Sequence, residues 1–414
     1  MIKKRNIILI LGGSEDQLYL IKTAQKKSYK TLCLDKNRYS EAKNISDYFI
    51  NVDFSKTKIV KQKIKKYKHL IAAVITMGSD CPEHVSKIAN YLKLTSNSVQ
   101  TSTICKNKLR MKKVFKKIKL NSAKYIYTNS VQKTKKFFNE NFKKPIIIKP
   151  IDFAGSRGVF LIRNIEEIKF FINKIKKLIK NKKFLVEEFL SGPQISTETL
   201  IKNKKAFTLG FADRNYNDTK KFLPQIIENG GTVPSKNLKY LKKINIIVEK
   251  LANFIGFDNG VIKGDFVINE NKINIIEFAG RLSGGDFCES LVPISTNYNY
   301  VKDAIDISAD KKKIKIPKQL NYKKYVKNRY IFLKSGKIQK IKGLNKVKKI
   351  RGLKKISLKV KKNSIIKKAT SHGSRAGVFI VESKTDGGSN KIIDKIYSTL
   401  KFKISGNFVT GDPR

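Results

Sequence analysis

Between residues 144 and 160 the chain reads Lys-Pro-Ile-Ile-Ile-Lys-Pro-Ile-Asp-Phe-Ala-Gly-Ser-Arg-Gly-Val-Phe, an apolar run followed by a glycine-bearing turn. The apolar run Ile146, Ile147, Ile148 predicts a short buried strand, which Lys149 ends. A turn carrying Gly155, Ser156 and Gly158 follows, and residues 159–162 return as a second strand. Glycines let the backbone approach a ligand closely and turn several N–H donors towards one anion, and a strand-end ammonium adds a full charge. The segment can therefore hold phosphate. It is not a P-loop, since no Gly-Lys-Ser/Thr follows, nor a dinucleotide fingerprint, since no helix follows. An ordinary β-hairpin would read the same way in isolation, so the flanking chain decides.

Upstream, the chain opens Met-Ile-Lys-Lys-Arg-Asn, then an apolar run at 7–11, the two parts of a signal peptide. The apolar part is too short and runs into Gly12-Gly13-Ser14 and acidic Glu15-Asp16, so it reads as a first strand. A helix over 17–26 is predicted next, then strands at 31–34, ending at Asp35, and at 70–75, and a helix over 82–92. Strand, turn and helix alternate, which gives a parallel doubly wound unit. Gly12 and Gly13 either meet a ligand at the strand's carboxyl end or simply make a tight turn. Residues 103–115 read as one basic amphipathic helix with Leu109, Val114 and Phe115 inward; Lys108 is one basic residue among many there.

Downstream, a helix is predicted at 165–180, then Phe-Leu-Val-Glu-Glu-Phe-Leu-Ser-Gly-Pro from Phe184, a strand with two carboxylates before a turn, and a further strand. Such a connector can hold a purine and its ribose, and solvated acids beside a turn are the plainer alternative. Ile244, Ile247, Val248, Leu251 and Ile255 share one face of a helix over 244–255. The stretch from Gly260 reads as a strand, a polar turn at 269–272 and a returning strand, which sets Asp265 opposite Glu277. Two carboxylates on neighbouring strands suit a hard Mg²⁺ ion whose octahedron substrate phosphates complete. Arg281 follows, with Gly284-Gly285 leaving room for a ligand. From about residue 314 the chain is mostly Lys and aliphatic: a hairpin of 325–333 with 337–341, a strand at 374–382 and a closing helix over 392–400 make an α+β unit.

A net charge of +57 invites a nucleic-acid reading. The excess is almost all Lys, spread along the chain with abundant Ile and Asn, as an AT-rich genome tends to encode, and neither Arg nor exposed aromatics cluster. No specific nucleic-acid partner is expected. No apolar run reaches membrane-spanning length, so a soluble chain with no membrane partner is expected. Four cysteines without Cys-x-x-Cys spacing suggest neither a disulfide framework nor a zinc site and point to the cytoplasm. The length, 414 residues, suffices for two or three domains.

Taken in order, these motifs resemble the ATP-grasp superfamily, and within it the carboxylate–amine ligase branch related to biotin carboxylase, D-alanine–D-alanine ligase and the glycinamide ribonucleotide synthetases. The resemblance implies an α/β and α+β chain: a pre-ATP-grasp Rossmann-like domain at 1–105, an ATP-grasp domain at 106–305 with its lid at about 120–186, and a small C-terminal α+β domain at 306–414. It implies that Lys108 and Lys149 grip the phosphates of ATP under a lid loop that carries Gly155, Ser156 and Gly158. Glu187, Glu188, Phe189 and Leu190 match the adenine-holding segment, and Gln194 falls where many members have a ribose-binding glutamate. An amide can still accept one such hydrogen bond. Asp265 and Glu277 match the metal carboxylates for Mg²⁺ or Mn²⁺, while Ala279 replaces the usual asparagine. Arg281 matches the arginine facing the acyl phosphate or the substrate carboxylate, with Lys263 a weaker candidate for that charge.

The expected activity is ATP- and Mg²⁺-dependent activation of a small carboxylate as an acyl phosphate and its transfer to an amine. Such chemistry rests on positioning and charge neutralisation rather than on a protein nucleophile. Rival readings are a carboxylase-type enzyme using bicarbonate, a non-catalytic ATP-binding protein, and a basic nucleic-acid-binding protein. Residues 207–235, including Asp213, Arg214, Glu228 and the turn at 230–234, are expected to line the acceptor pocket. Of three histidines, His372 reads as structural rather than catalytic. Dimers are common among relatives, and the oligomeric state stays open.

Overall fold

The computed structural model describes residues 5–284 and 286–414; the first four residues of the signal-like start, and Gly285 of the Gly284-Gly285 pair, lie outside the described residues. Strands β1 (Ile7–Leu11), β2 (Lys30–Asp35), β3 (Tyr48–Asn51) and β4 (Ile71–Ile75) form a parallel sheet in the order β3-β2-β1-β4. All of β1 is buried because the sheet is covered on both faces. Ile8 and Ile10 pack with Leu20 and Ile21 of the helix Glu15–Lys26, while Ile7, Leu9 and Leu11 pack with Val60 and Ile88 on the opposite face. The doubly wound expectation holds. In this sheet the edge strand β3 is the one the sequence did not announce: its outer residues Tyr48 and Asn51 are exposed, so it carries no apolar run.

The helix expected over 103–115 is two helices, Val99–Ile104 and Lys108–Lys117. Asn107 caps the second, its side chain accepting from Arg110 N at 3.0 Å, so the break follows from capping chemistry inside a basic run. Met111, Val114 and Phe115 turn inward, whereas Leu109 is only half-buried.

Strands β5 (Tyr125–Thr128), β6 (Ile146–Lys149), β7 (Phe160–Ile162) and β8 (Phe184–Glu188) form an antiparallel sheet in the order β5-β8-β6-β7. Ile146, Ile148, Phe160, Ile162, Phe184 and Val186 pack beneath the helices Val131–Glu140 and Glu167–Leu178 as a separate core. This unit covers the residues where the resemblance implies a lid, and its sheet and loop are called the lid below. The phosphate-type segment is its β6–β7 hairpin, with Ile146 opposite Ile162.

The largest sheet joins β9 (Gln194–Lys202), β10 (Lys205–Arg214), β11 (Gly231–Val233), β12 (Gly260–Asn269), β13 (Lys272–Ala279), β14 (Tyr325–Ile331), β16 (Leu353–Leu358) and β18 (Gly377–Ser383) in the order β13-β12-β9-β10-β11-β14-β18-β16. The helix Leu241–Ile255 lays Ile244, Val248, Leu251 and Ile255 on it. The expected hairpin of 325–333 with 337–341 does not form. Both edges of β14 are taken by β11 and β18, and β15 (Gly336–Lys342) instead joins β17 (Ile365–Ile366), β19 (Lys401–Ile404) and β20 (Asn407–Val409) in a small sheet. Among the described residues no helix is long and apolar enough to cross a membrane.

Candidate active site

A cavity of about 570 Å³ lies between the lid sheet and the largest sheet, with the loop after β4 closing one side. Strand β6 delivers Lys149 into it, buried, with Nζ 2.7 Å from Glu187 Oε2 on neighbouring β8. The other oxygen of Glu187 lies 3.2 Å from Lys112 Nζ, one turn along the helix from Lys108. Burial opposes ionisation of Glu187, but the two ammonium groups outweigh it and hold its pKa below the usual carboxylate range. Two buried ammoniums thus share one carboxylate. The excess positive charge faces the cavity and calls for an anion.

Lys108 donates to Phe153 O in the lid loop at 2.7 Å and lies 3.2 Å from Glu277 Oε2. Glu277 stands opposite Asp265 in the β12–β13 register, as the sequence predicts. Burial raises its pKa, but Lys108, Lys263 and Lys149 outweigh that and bring it down to about 2. Asp265 accepts from Ser196 Oγ at 2.5 Å and pairs with Lys263. Both carboxylates already hold cationic groups at the cavity wall, and both offer hard oxygen donors. Among the described residues no group of three or more His, Cys, Asp or Glu could hold a metal, and Ala279 adds no oxygen. The pair therefore fits a Mg²⁺-type ion only when ligand phosphates supply the remaining oxygens.

The loop between β6 and β7 turns through three residues of positive φ. Gly155, Ser156 and Gly158 have φ of +65°, +58° and +70°, the left-handed region that turns successive N–H groups to one side. Gly155 and Ser156 line the cavity; Gly158 does not, because its α-carbon backs onto Pro150 and Leu178. Glu188, Phe189, Leu190 and Gln194 line the end nearest the lid root, where Glu188 also accepts from Lys124 N at 2.9 Å. Arg281 reaches the cavity with Nε 3.8 Å from Asp80 Oδ1, and both atoms are buried without a hydrogen bond among the described residues.

At the far end Arg214 pairs with Glu228, and Arg375 donates to Glu228 Oε1 at 3.1 Å. Burial works against the Glu228 carboxylate, yet the two guanidiniums hold it down at about 2. Asp213, expected here, points away and instead accepts from Ser235 Oγ (2.6 Å), Lys236 N (2.7 Å) and Asn237 Nδ2 (2.8 Å). Gly230 at φ +89° is required: a Cβ there would lie 2.0 Å from Asn328 O. Sequence reasoning missed Lys112, Asp80, Tyr330 and Arg375 as cavity residues, and His372, read as structural, lines the cavity too. Only Lys112 left a trace, its four-residue spacing from Lys108.

Residues 105–285 match the ATP-grasp domain family, and residues 329–405 match the family described as L-amino acid ligase C-terminal domain 2. A D-alanine–D-alanine ligase of Fusobacterium nucleatum is 27% identical over 209 residues, 49% of this chain and 64% of that ligase, so less than two-thirds of the relative's length is spanned. An L-amino acid ligase structure from Bacillus licheniformis superposes with a TM-score of 0.80 at 16% identity, covering 96% of this chain and 98% of that one. A phosphoribosylglycinamide synthetase structure from Anaerococcus prevotii gives 0.72 at 23% identity, covering 97% and 100%. At these identities the two structures share the fold with this chain.

Proposed function

This chain belongs to the ATP-grasp superfamily, and from that premise we propose that it is an ADP-forming ligase joining the carboxylate of an amino acid to an amine. The observation that carries the reading is the pairing of a lysine cluster, Lys112–Glu187–Lys149, with the Asp265–Glu277 carboxyl pair across one cavity. The L-amino acid ligase likeness of residues 329–405 supports an amino acid as substrate.

In this reading Lys149 and Lys108 turn from their carboxylates to the phosphates of ATP. Lys112 makes this affordable, since Glu187 keeps one ammonium when Lys149 leaves, and a buried carboxylate without a partner is strongly unfavourable. The substrate carboxylate attacks the γ-phosphorus and ADP departs. The amine then attacks the acyl carbon, inorganic phosphate leaves, and the amine proton goes to solvent. Arg281 neutralises the oxygens of the acyl phosphate, and the lid keeps water from them. Asp265 and Glu277 would hold Mg²⁺ or Mn²⁺, which supplies charge neutralisation on the phosphates.

The test is ADP release by the full chain with Mg²⁺-ATP and pooled amino acids, with and without amines. Release that needs both substrates supports the ligase. Release driven by bicarbonate would favour carboxylation, and ATP binding without turnover a non-catalytic binder. Lys149→Ala and Glu277→Gln are each expected to abolish ATP turnover with unchanged circular dichroism. Full activity in either variant overturns the site.

A further inference from the structure

Residues 371–375, Ser-His-Gly-Ser-Arg, lead into β18, and His372 and Arg375 line the cavity together with the lid loop. One end of this segment is fastened to the largest sheet. Arg375 donates to Glu228 O at 2.9 Å and to its Oε1 at 3.1 Å, its guanidinium lies 3.5 Å from the Tyr330 ring centroid, and Ala376 N donates to Ile331 O at 2.8 Å. The other end touches the lid. His372 N donates to Gly155 O at 3.1 Å, and His372 Nε2 shares a hydrogen bond of 3.2 Å with Ser156 Oγ. These bonds join segments more than 200 positions apart in the chain, 216 for the side-chain bond, at the glycine turn beside Lys149.

The edge strand of the lid is docked nearby as well. Phe160 bridges to Gln225, and Leu161 N donates to Pro224 O at 2.8 Å, in the connection that continues to Glu228. The acceptor end of the cavity and the lid are therefore linked through two short segments. Burial and the neighbouring Arg375 guanidinium keep the His372 ring neutral, with Arg214 and Lys263 adding to that effect and Glu228 opposing it. A neutral ring can bond a serine hydroxyl beside two arginines without adding a third positive charge.

We infer that His372 is a positioning residue that latches the loop 152–158 over the phosphates, with Arg375 anchoring the latch to the acceptor end of the cavity. This rests on the ligase reading for its consequence and on geometry alone for the latch. A lid that opens more often admits water to the acyl phosphate. Water then takes the place of the amine, the carboxylate is regenerated, inorganic phosphate leaves, and ADP is formed without amide.

Two readouts on the full chain test this. Hydrogen exchange of residues 152–158 is compared in the wild type, His372→Ala, His372→Gln, Ser156→Ala and the double alanine variant. Losing one hydrogen bond between neutral partners is expected to raise exchange there about fivefold in either single alanine variant. The double variant is expected to show no more than either single one, and His372→Gln, whose amide reaches the Nε2 position, to stay near wild type. Additive effects, or less than about a twofold change, overturn the latch. The second readout is ADP released per amide formed, which is expected to rise in His372→Ala and to recover in His372→Gln. A wild type that releases no ADP with any acceptor would sink the ligase reading, while the exchange comparison still decides the latch.

Discussion

Glu198 is wholly buried on β9, one carboxyl oxygen accepting from Ser283 N at 2.8 Å and the other without a hydrogen bond among the described residues. Burial outweighs that bond and the nearby Arg281 and Lys263, and pushes its pKa from 4.5 up to about 7. The folded chain thus holds this proton more tightly than the unfolded one. The penalty is absent below the unfolded pKa, grows as pH rises from there to the folded pKa, and is complete above it at about 3 kcal/mol. Glu198→Gln is therefore expected to stabilise the protein at about pH 8 by up to ~3 kcal/mol and to change little at about pH 4, read from urea unfolding at both. An equal effect at the two pH values would mean the carboxylate is ionised throughout. Residues differ in how far the sequence reveals them. Asp265 and Glu277 are legible because a hairpin about a polar turn brings both to its open end, and a bulge between Asp265 and Phe266 sets them directly opposite each other. Lys112 is not, since its one local mark, the four-residue spacing from Lys108, is commonplace in a chain with 89 basic residues. His372 meets its partner only through the tertiary fold.

At the scale of elements, the β6–β7 turn concentrates what the lid needs. Gly158 sits outside the cavity wall with φ +70°, and a Cβ there would lie 3.1 Å from Pro150 Cγ. A branched side chain would strain the turn by about 1–2 kcal/mol, a load carried by the loop alone. Gly158→Val is accordingly expected to raise the KM for ATP by about 5- to 30-fold while moving the thermal midpoint by no more than about 2 °C. An unchanged KM would show that the turn does not shape the nucleotide site. Elements with continuous or alternating apolar residues, such as β1, β6 and β12, are readable in the sequence because burial dictates their pattern. Strand β3 is hidden by its exposed outer residues, and the helix break at 105–107 by the capping preference of one asparagine in a lysine-rich run. The mistaken β14–β15 hairpin has the same root: adjacent strands usually pair, and here β18 takes the edge that β15 would need.

For the whole molecule the decisive fact is that the largest sheet joins strands from both sides of residue 305, where the resemblance implies a domain limit. Strand β11 has only three residues and pairs with β14 from Gly231–Asn328 to Val233–Val326, while Gly231 N donates to Asn328 Oδ1 at 2.7 Å and Tyr330 N to Asn229 Oδ1 at 2.9 Å. Phe222 and Ile227 share one core with Tyr330, Phe332 and Val378. The turn to lysine and aliphatic residues after about 314 marks surface chemistry; pairing between segments some hundred residues apart has no local signature in the sequence. A chain ended at residue 305 would bare that core and one edge of the sheet, and would leave Glu228 without Arg375. Such a chain is expected to lose cooperative urea unfolding and to bind no ATP analogue, whereas the full chain does both. A truncated chain that unfolds cooperatively and binds nucleotide would instead establish 306–414 as an independent unit and leave the cavity with a different outer wall.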